Sequence, residues 1–303
     1  MKVGVSLASR HVVDDPREGA RWMIERAAAA RHAGLDSLFI GDHHATPEPY
    51  YQNTPMLGRL LAEWDDKPAG CLFLLPLWHP TLLAEHVGTL AAIAKGRFIM
   101  QVGLGYGEDQ FAAMGTTQKA RVPAFEEALD VIRRLLAGET VTNYGRFSVA
   151  RARISPTPAE PVEVWFGASA PPAIDRAARL GDAWLASPSL SVDGAREQLN
   201  YYRERCAAHG RTPTALAIRR DVYVGESSAD AKAVLAAEVA KGYRGFPPDS
   251  LVAGTVDEVT ERFAALAKLG YTEVLIRHLT NDHQKVLGSF ARLARVRQAL
   301  ATI

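Results

Sequence analysis

Cysteine is nearly absent. Cys71 and Cys206 are the only two in 303 residues, too few for a disulfide framework, so the chain reads as a protein of a reducing compartment, the cytoplasm by default. Long apolar runs are also missing. The most apolar stretch, Cys71-Leu72-Phe73-Leu74-Leu75-Pro76-Leu77-Trp78-His79-Pro80, is broken by prolines and too short to cross a bilayer. Neither sign of charge is in excess: Lys+Arg 35 against Asp+Glu 34 gives a net charge of +1. That balance leaves no electrostatic footprint for nucleic acid or an anionic membrane. The first strand begins at Val3 and leaves no room for a signal peptide. A chain that is 48% hydrophobic and 23% charged has neither the polarity of a disordered segment nor a repeat composition.

What is present is alternation. Val3 to Leu7 reads as a strand, and Asp14-Asp15-Pro16 as an acidic helix start with proline in the first turn. Apolar residues then recur at helical spacing up to Gly34, and Leu35 to Ile40 is a second strand. Cys71 to Leu75, Phe98 to Val102, Val162 to Phe166, Asp182 to Leu185, Leu216 to Val224 and Val274 to Ile276 read as further strands. Helical stripes stand between them, from Pro80, Phe125, Pro171, Asp193, Ala229 and Val256, with Leu287 to Leu300 last. Val141 to Val149 reads as a hairpin excursion. Strands that are apolar without alternation belong to a parallel sheet covered on both sides. Roughly eight strand–helix units in this length predict one (β/α)8 barrel domain over residues 1–303, with a doubly wound open sheet as the alternative. Two long connections, His44 to Pro68 and Gly103 to Val122, follow strand C-termini, where barrel enzymes build their sites.

Three segments carry possible chemistry. Gly41-Asp42-His43-His44 ends the second strand and puts imidazoles at the barrel mouth. Adjacent histidines on an extended chain point apart, and His79, His86, His278 and His283 are scattered, so no metal centre is expected. Phe166-Gly167-Ala168-Ser169-Ala170-Pro171-Pro172 joins a strand to a proline-started helix through small residues, a plausible phosphate seat. Gly103-Leu104-Gly105-Tyr106-Gly107 follows the fourth strand. Its alternate glycines suit a backbone lying against a flat ring, but it lacks the spacing of a dinucleotide fingerprint.

In order and spacing these segments, with Ala33-Gly34-Leu35-Asp36-Ser37-Leu38-Phe39-Ile40, Lys95-Gly96-Arg97-Phe98, Trp165-Phe166-Gly167-Ala168-Ser169 and Arg176-Ala177-Ala178-Arg179-Leu180-Gly181-Asp182-Ala183-Trp184, resemble the bacterial luciferase-like family of flavin- and deazaflavin-dependent oxidoreductases. The resemblance implies a TIM barrel with a flavin across its C-terminal mouth. It implies that His43 is the acid/base or substrate-binding group near the reactive ring. It implies that the Cys71-Leu72 peptide is a third-strand bulge, often a non-proline cis peptide, against which the ring packs. Gly167, Ala168 and Ser169 match the phosphate-binding turn, and Gly103 and Leu104 a loop beside the cofactor. Luciferases carry an arginine where Leu104 stands, which shifts phosphate binding here toward the Gly-Ala-Ser turn. The family's deazaflavin dehydrogenases place a glutamate near the position of Tyr106.

The leading expectation is an FMN-dependent monooxygenase acting with oxygen on an apolar small molecule, its reduced flavin supplied by a reductase. A coenzyme F420-dependent hydride-transfer enzyme is the alternative, and a flavin-binding protein without turnover the non-enzymatic one. His44, Trp78, Tyr106 and Phe111 are expected to line the substrate pocket, with Phe73 nearby. A homodimer is expected from the pairing of relatives through barrel helices.

Overall fold

The computed structural model describes residues 1–301. The first half runs β1 (Lys2–Leu7), α1 (Pro16–His32), β2 (Leu38–Ile40), α2 (Asn53–Leu60), β3 (Ala69–Leu74), α3 (Pro80–Ile93), β4 (Phe98–Gly103), α4 (Glu108–Ala113), α5 (Arg121–Leu136) and a hairpin of β5 (Val141–Tyr144) and β6 (Ser148–Ala152). The second half runs β7 (Glu163–Gly167), α6 (Pro171–Leu180), β8 (Ala183–Ala186), α7 (Val192–Ala208), β9 (Ala215–Val224), α8 (Ser228–Ala240), β10 (Val252–Gly254), α9 (Val256–Leu269), β11 (Glu273–His278) and α10 (His283–Leu300). The strands β1, β2, β3, β4, β7, β8, β9 and β11 pair in parallel, and the β8–β9 pairing closes the ring. This is the predicted (β/α)8 barrel, with β10 added beside the upper end of β9.

Local signals explain the helix starts. Asp15 caps α1 by accepting from the Arg17 N–H at 2.9 Å, with Pro16 in the first turn. Thr255 and Glu258 form a reciprocal capping box on α9.

Two cores follow from the period-2 alternation of barrel strands. The larger lies between strands and helices and takes Val3, Val5, Cys71, Phe73, Met100 and Val164. The smaller plugs the barrel itself with Phe39, Ile99, Trp165, Ala183, Ala217 and Leu275; the Phe39 and Trp165 rings lie 5.7 Å apart. Gly70 faces this plug, and a Cβ there would sit 1.8 Å from the Ile99 carbonyl oxygen, so only glycine lets β3 approach β4. Below the plug, Ser37 donates to buried Glu273 at 2.5 Å, and Arg97 pairs with Glu163 at 2.8 Å. Above it the barrel opens into a cavity.

Cys71 and Cys206 are both free and buried. Among the described residues no helix is long and apolar enough to cross a membrane.

Candidate active site

The cavity at the C-terminal mouth has a volume of about 1510 Å³. Single-ligand pockets are usually about 300–1,000 Å³, so this one has room for a cofactor and a second molecule. Its floor is made by inward residues of the strands: Ser6, Leu72, Gln101, Gly167, Leu185 and Leu275. Its rim is made by the loops that follow them.

His43 is on the wall, as expected. Its ring lies between Tyr50 (centroids 5.7 Å, 66°) and Tyr106 (6.3 Å, 27°). Its carbonyl accepts from the Gln52 side chain at 3.1 Å. Neither ring nitrogen bonds a protein group among the described residues, so both are open to a ligand. The turn around it is held from behind. Asp42 accepts from the Leu74 N–H at 2.8 Å and from the Trp78 indole at 2.9 Å, tying the end of β2 to the end of β3. His44 Nε2 lies 3.1 Å from Asp42, and the His44 N–H donates to Gln110 at 2.7 Å. Tyr50 also lines the cavity; burial pushes its hydroxyl up to about 12, so it stays protonated.

Of the residues expected to hold the cofactor, Leu72, Gly167, Ala168 and Ser169 line the cavity. Gly167 presents its hydrogen to open space: a Cβ there would meet only the Val102 carbonyl oxygen, at 3.7 Å. The turn is fixed by the Trp184 indole, which donates to the Ala168 carbonyl at 2.9 Å. The donors, however, are not those of the helix. Pro171 and Pro172 have no N–H, and the Ala173 N–H is spent on Ala170 O at 2.8 Å. The Ser169 N–H and hydroxyl and the Ala170 N–H are unpaired among the described residues, which leaves three donors free at the turn.

Five expected placements differ in the structure. Cys71 faces the outer core, fully buried, because it alternates with inward-facing Leu72. Burial holds its thiol well above the usual range, with Asp42 adding to the shift. β3 and β4 pair without a break from Ala69↔Phe98 to Leu74↔Gly103, so there is no bulge at Cys71-Leu72, and that peptide is trans. Gly103 and Leu104 do not reach the cavity; Leu104 packs on the outer core. Phe111 is buried with Leu74 and Leu77, and Phe73 joins the outer core. His44 and Trp78 stand behind the wall, 5.4 Å apart edge to face, bracing Asp42. Of the four residues given to the substrate pocket, Tyr106 alone lines the cavity.

Sequence reasoning missed the charged side of the mouth. Arg219 and Arg277 line it from β9 and β11, and Tyr243 and Arg244 from the segment after α8. The signal was available: arginines inside strands that otherwise read as buried, at inward positions of the alternation. Gln101 was missed too. It is 4% exposed, lines the floor, and its amide Nε2 has no partner among the described residues. An orphaned buried donor and an open small-residue turn are what a flat, phosphorylated ring cofactor would use.

The comparisons agree with this architecture. The chain is 31% identical over 191 residues to an F420-dependent glucose-6-phosphate dehydrogenase of Nakamurella multipartita, a match covering 58% of this chain and 56% of that one. It thus spans about half the length of the curated relatives it matches first. The oxygenating constituent of 3,6-diketocamphane monooxygenase of Pseudomonas putida, solved in complex with FMN, superposes with a TM-score of 0.82 at 18% identity, covering 100% of this chain and 98% of that one. An F420-dependent secondary alcohol dehydrogenase with an F420–acetone adduct superposes at 0.81 with 17% identity, covering 99% and 98%. At such identities the two structures establish the barrel alone. A family model of luciferase-like monooxygenases matches residues 1–250, and the chain therefore belongs to the luciferase-like monooxygenase family.

Proposed function

We propose that the chain transfers a hydride between coenzyme F420 and a small alcohol or carbonyl substrate. The observation that carries this reading is its likeness to F420-dependent dehydrogenases, of which the Nakamurella enzyme is one. It reverses the order of the two expectations drawn from sequence. The position of Leu104 supports it: the side chain lies in the outer core and offers no cation to an FMN phosphate. When bound, the deazaflavin would supply a two-electron ring that exchanges hydride and does not activate oxygen.

The chain's own residues then have distinct work. The Ser169 and Ala170 N–H groups and the Ser169 hydroxyl hold the cofactor phosphate. The Gln101 amide donates to the ring from the floor. His43, with both ring nitrogens free and its carbonyl fixed by Gln52, takes the proton from a substrate hydroxyl or returns it to a carbonyl. Tyr50, kept neutral by burial, donates a hydrogen bond beside it. Asp42, His44 and Trp78 position the turn that carries His43.

The FMN monooxygenase is the second reading, favoured by Tyr106, which lines the cavity near the position where the resemblance puts a glutamate in the family's F420 dehydrogenases. Two assays separate the readings. Anaerobic incubation with F420 and a panel of alcohols should bleach the oxidised deazaflavin. Substrate-dependent oxygen consumption with FMN and a flavin reductase, with no F420 turnover, would establish the second reading instead.

A further inference from the structure

Strand β9 carries two consecutive arginines and an aspartate, Arg219-Arg220-Asp221. Arg220 turns away from the cavity and donates to the Pro188 carbonyl at 3.2 Å. Arg219 and Asp221 share the cavity side. The Arg219 Nε donates to Asp221 Oδ1 at 3.0 Å, and the Tyr243 hydroxyl donates to Asp221 Oδ2 at 2.7 Å. In the adjoining strand β11, Arg277 stands in register with Asp221. Each oxygen of that carboxylate already accepts a hydrogen bond, from Arg219 or from Tyr243. Arg277 makes no hydrogen bond and no ion pair among the described residues, and it lines the cavity.

The other cations of the wall are matched. Arg10 pairs with Glu48, Lys241 with Glu238 at 3.1 Å, and Lys285 with Asp230 at 3.0 Å. Arg244 lies over the Phe246 ring at 5.0 Å. Arg277 also acts at close range on like charge. Arg219 is pulled down to about 10, chiefly by burial, and Arg277 adds to the shift. On the cavity side of β9 and β11, Arg219 and Arg277 stand against the single carboxylate of Asp221, which leaves one positive charge in excess there.

We propose that Arg277 is the anion anchor of the substrate site, taking the carboxylate or phosphate of a hydroxy acid or phosphate ester. A guanidinium fork matches such groups through two parallel hydrogen bonds. The inference rests on the cofactor reading above and deepens it by naming the substrate class. The cofactor phosphate is assigned to the turn after β7, and β8 and β9 stand between that turn and β11. The two anions therefore have separate seats in one cavity. This replaces the expectation of an apolar substrate, since the β9–β11 side of the wall is cationic.

Calorimetric titration with inorganic phosphate tests the anchor without turnover. The wild-type protein should bind it saturably at an Arg277-dependent site, which on protein saturated with F420, where the turn after β7 is filled, counts one per chain. Arg277→Met should weaken binding at least tenfold, and Arg277→Lys, which keeps the charge without the fork, should fall between. Lys241→Gln, which removes a matched cation of the same wall, should stay within twofold. Because Arg277 bonds no protein group, neither Arg277 variant removes an internal contact, and circular dichroism should match the wild type. The same titration on protein saturated with F420 should still show the site. An effect of Arg277→Met no larger than that of Lys241→Gln would overturn the proposal. So would loss of the site on F420 loading, together with weaker binding of F420 but not of a deazaflavin truncated before its phosphate; Arg277 would then hold the cofactor's tail. If F420 fails to bind while phosphate still binds in an Arg277-dependent way, the cofactor reading falls and the anchor stands.

Discussion

In the proposed reaction His43 is the residue that moves the proton. It lines the cavity with both ring nitrogens unbonded among the described residues, and Gln52 holds its carbonyl, so its removal should strike turnover and spare binding. His43→Ala should lower kcat by about 10²–10⁴-fold with cofactor affinity changed by less than about threefold, measured by steady-state kinetics and equilibrium titration on the same preparation. His44→Ala should behave differently, since His44 braces Asp42 behind the wall; a small rate loss with a lower Tm is expected, and equal rate losses in the two variants would refute the assignment. His43 and Gly167 were legible in the sequence because each ends a strand with an unusual residue type. The arginines of β9 and β11 stood out in the sequence as charges in apolar strands, but what Arg277 and Gln101 can do depends on which side chains the fold leaves without a partner.

At the scale of the element, the turn from β7 into α6 makes the sharpest statement. Its donors are three groups of Ser169 and Ala170, since the two prolines silence the helix terminus. A valine at Gly167 meets no protein atom closer than 3.7 Å at its Cβ, so Gly167→Val should fold normally and intrude on the cavity. It should weaken the phosphorylated cofactor about tenfold or more, and a cofactor truncated before the phosphate by clearly less. Thr255→Ala removes one half of the α9 capping box and should cost about 0.5–2 kcal/mol in chemical denaturation, with no effect on cofactor binding. Most elements could be read from periodicity and punctuation: α9 runs over the predicted residues, and α6 from Pro171 to Leu180. α2 could not. Its cap, Gln52, makes no side-chain bond to the helix, Pro55 and Gly58 weaken its helical pattern, and the Asn53 amide Nδ2 is spent on the Leu72 carbonyl at 2.7 Å. It is held by tertiary contact, which a local pattern does not display. β10 was missed for a similar reason: three residues pair with β9 alone.

At the scale of the whole molecule, two buried groups set opposite pH limits. Burial pushes Glu273, beneath the barrel plug, up to about 7 from 4.5. A raised folded value means that its contribution is intact below about pH 4.5 and is lost as pH rises through 7. His278 is pulled down to about 3, by burial first and Arg26 second. Its contribution is present above about pH 6.5 and is lost as pH falls toward 3. Glu273→Gln should therefore raise stability on the alkaline side, by an amount on the order of 3 kcal/mol at pH 9, and leave the acid side unchanged in urea unfolding curves. We propose that the chain is the homodimer that its family resemblance implies, for which α3 offers the exposed Leu82 and Ile93; sedimentation at micromolar concentration should show a dimer, and a monomer alone would refute it.

The claim that joins these scales is that the barrel mouth is a deazaflavin site whose phosphate rests on the turn after β7. Equilibrium titration of the purified protein with F420 and with FMN, in wild type and Gly167→Val, addresses it directly. The account predicts saturable F420 binding that is tighter than FMN binding and is weakened by the valine. Tighter binding of FMN than of F420, or F420 binding that the valine leaves unchanged in a folded protein, would contradict it.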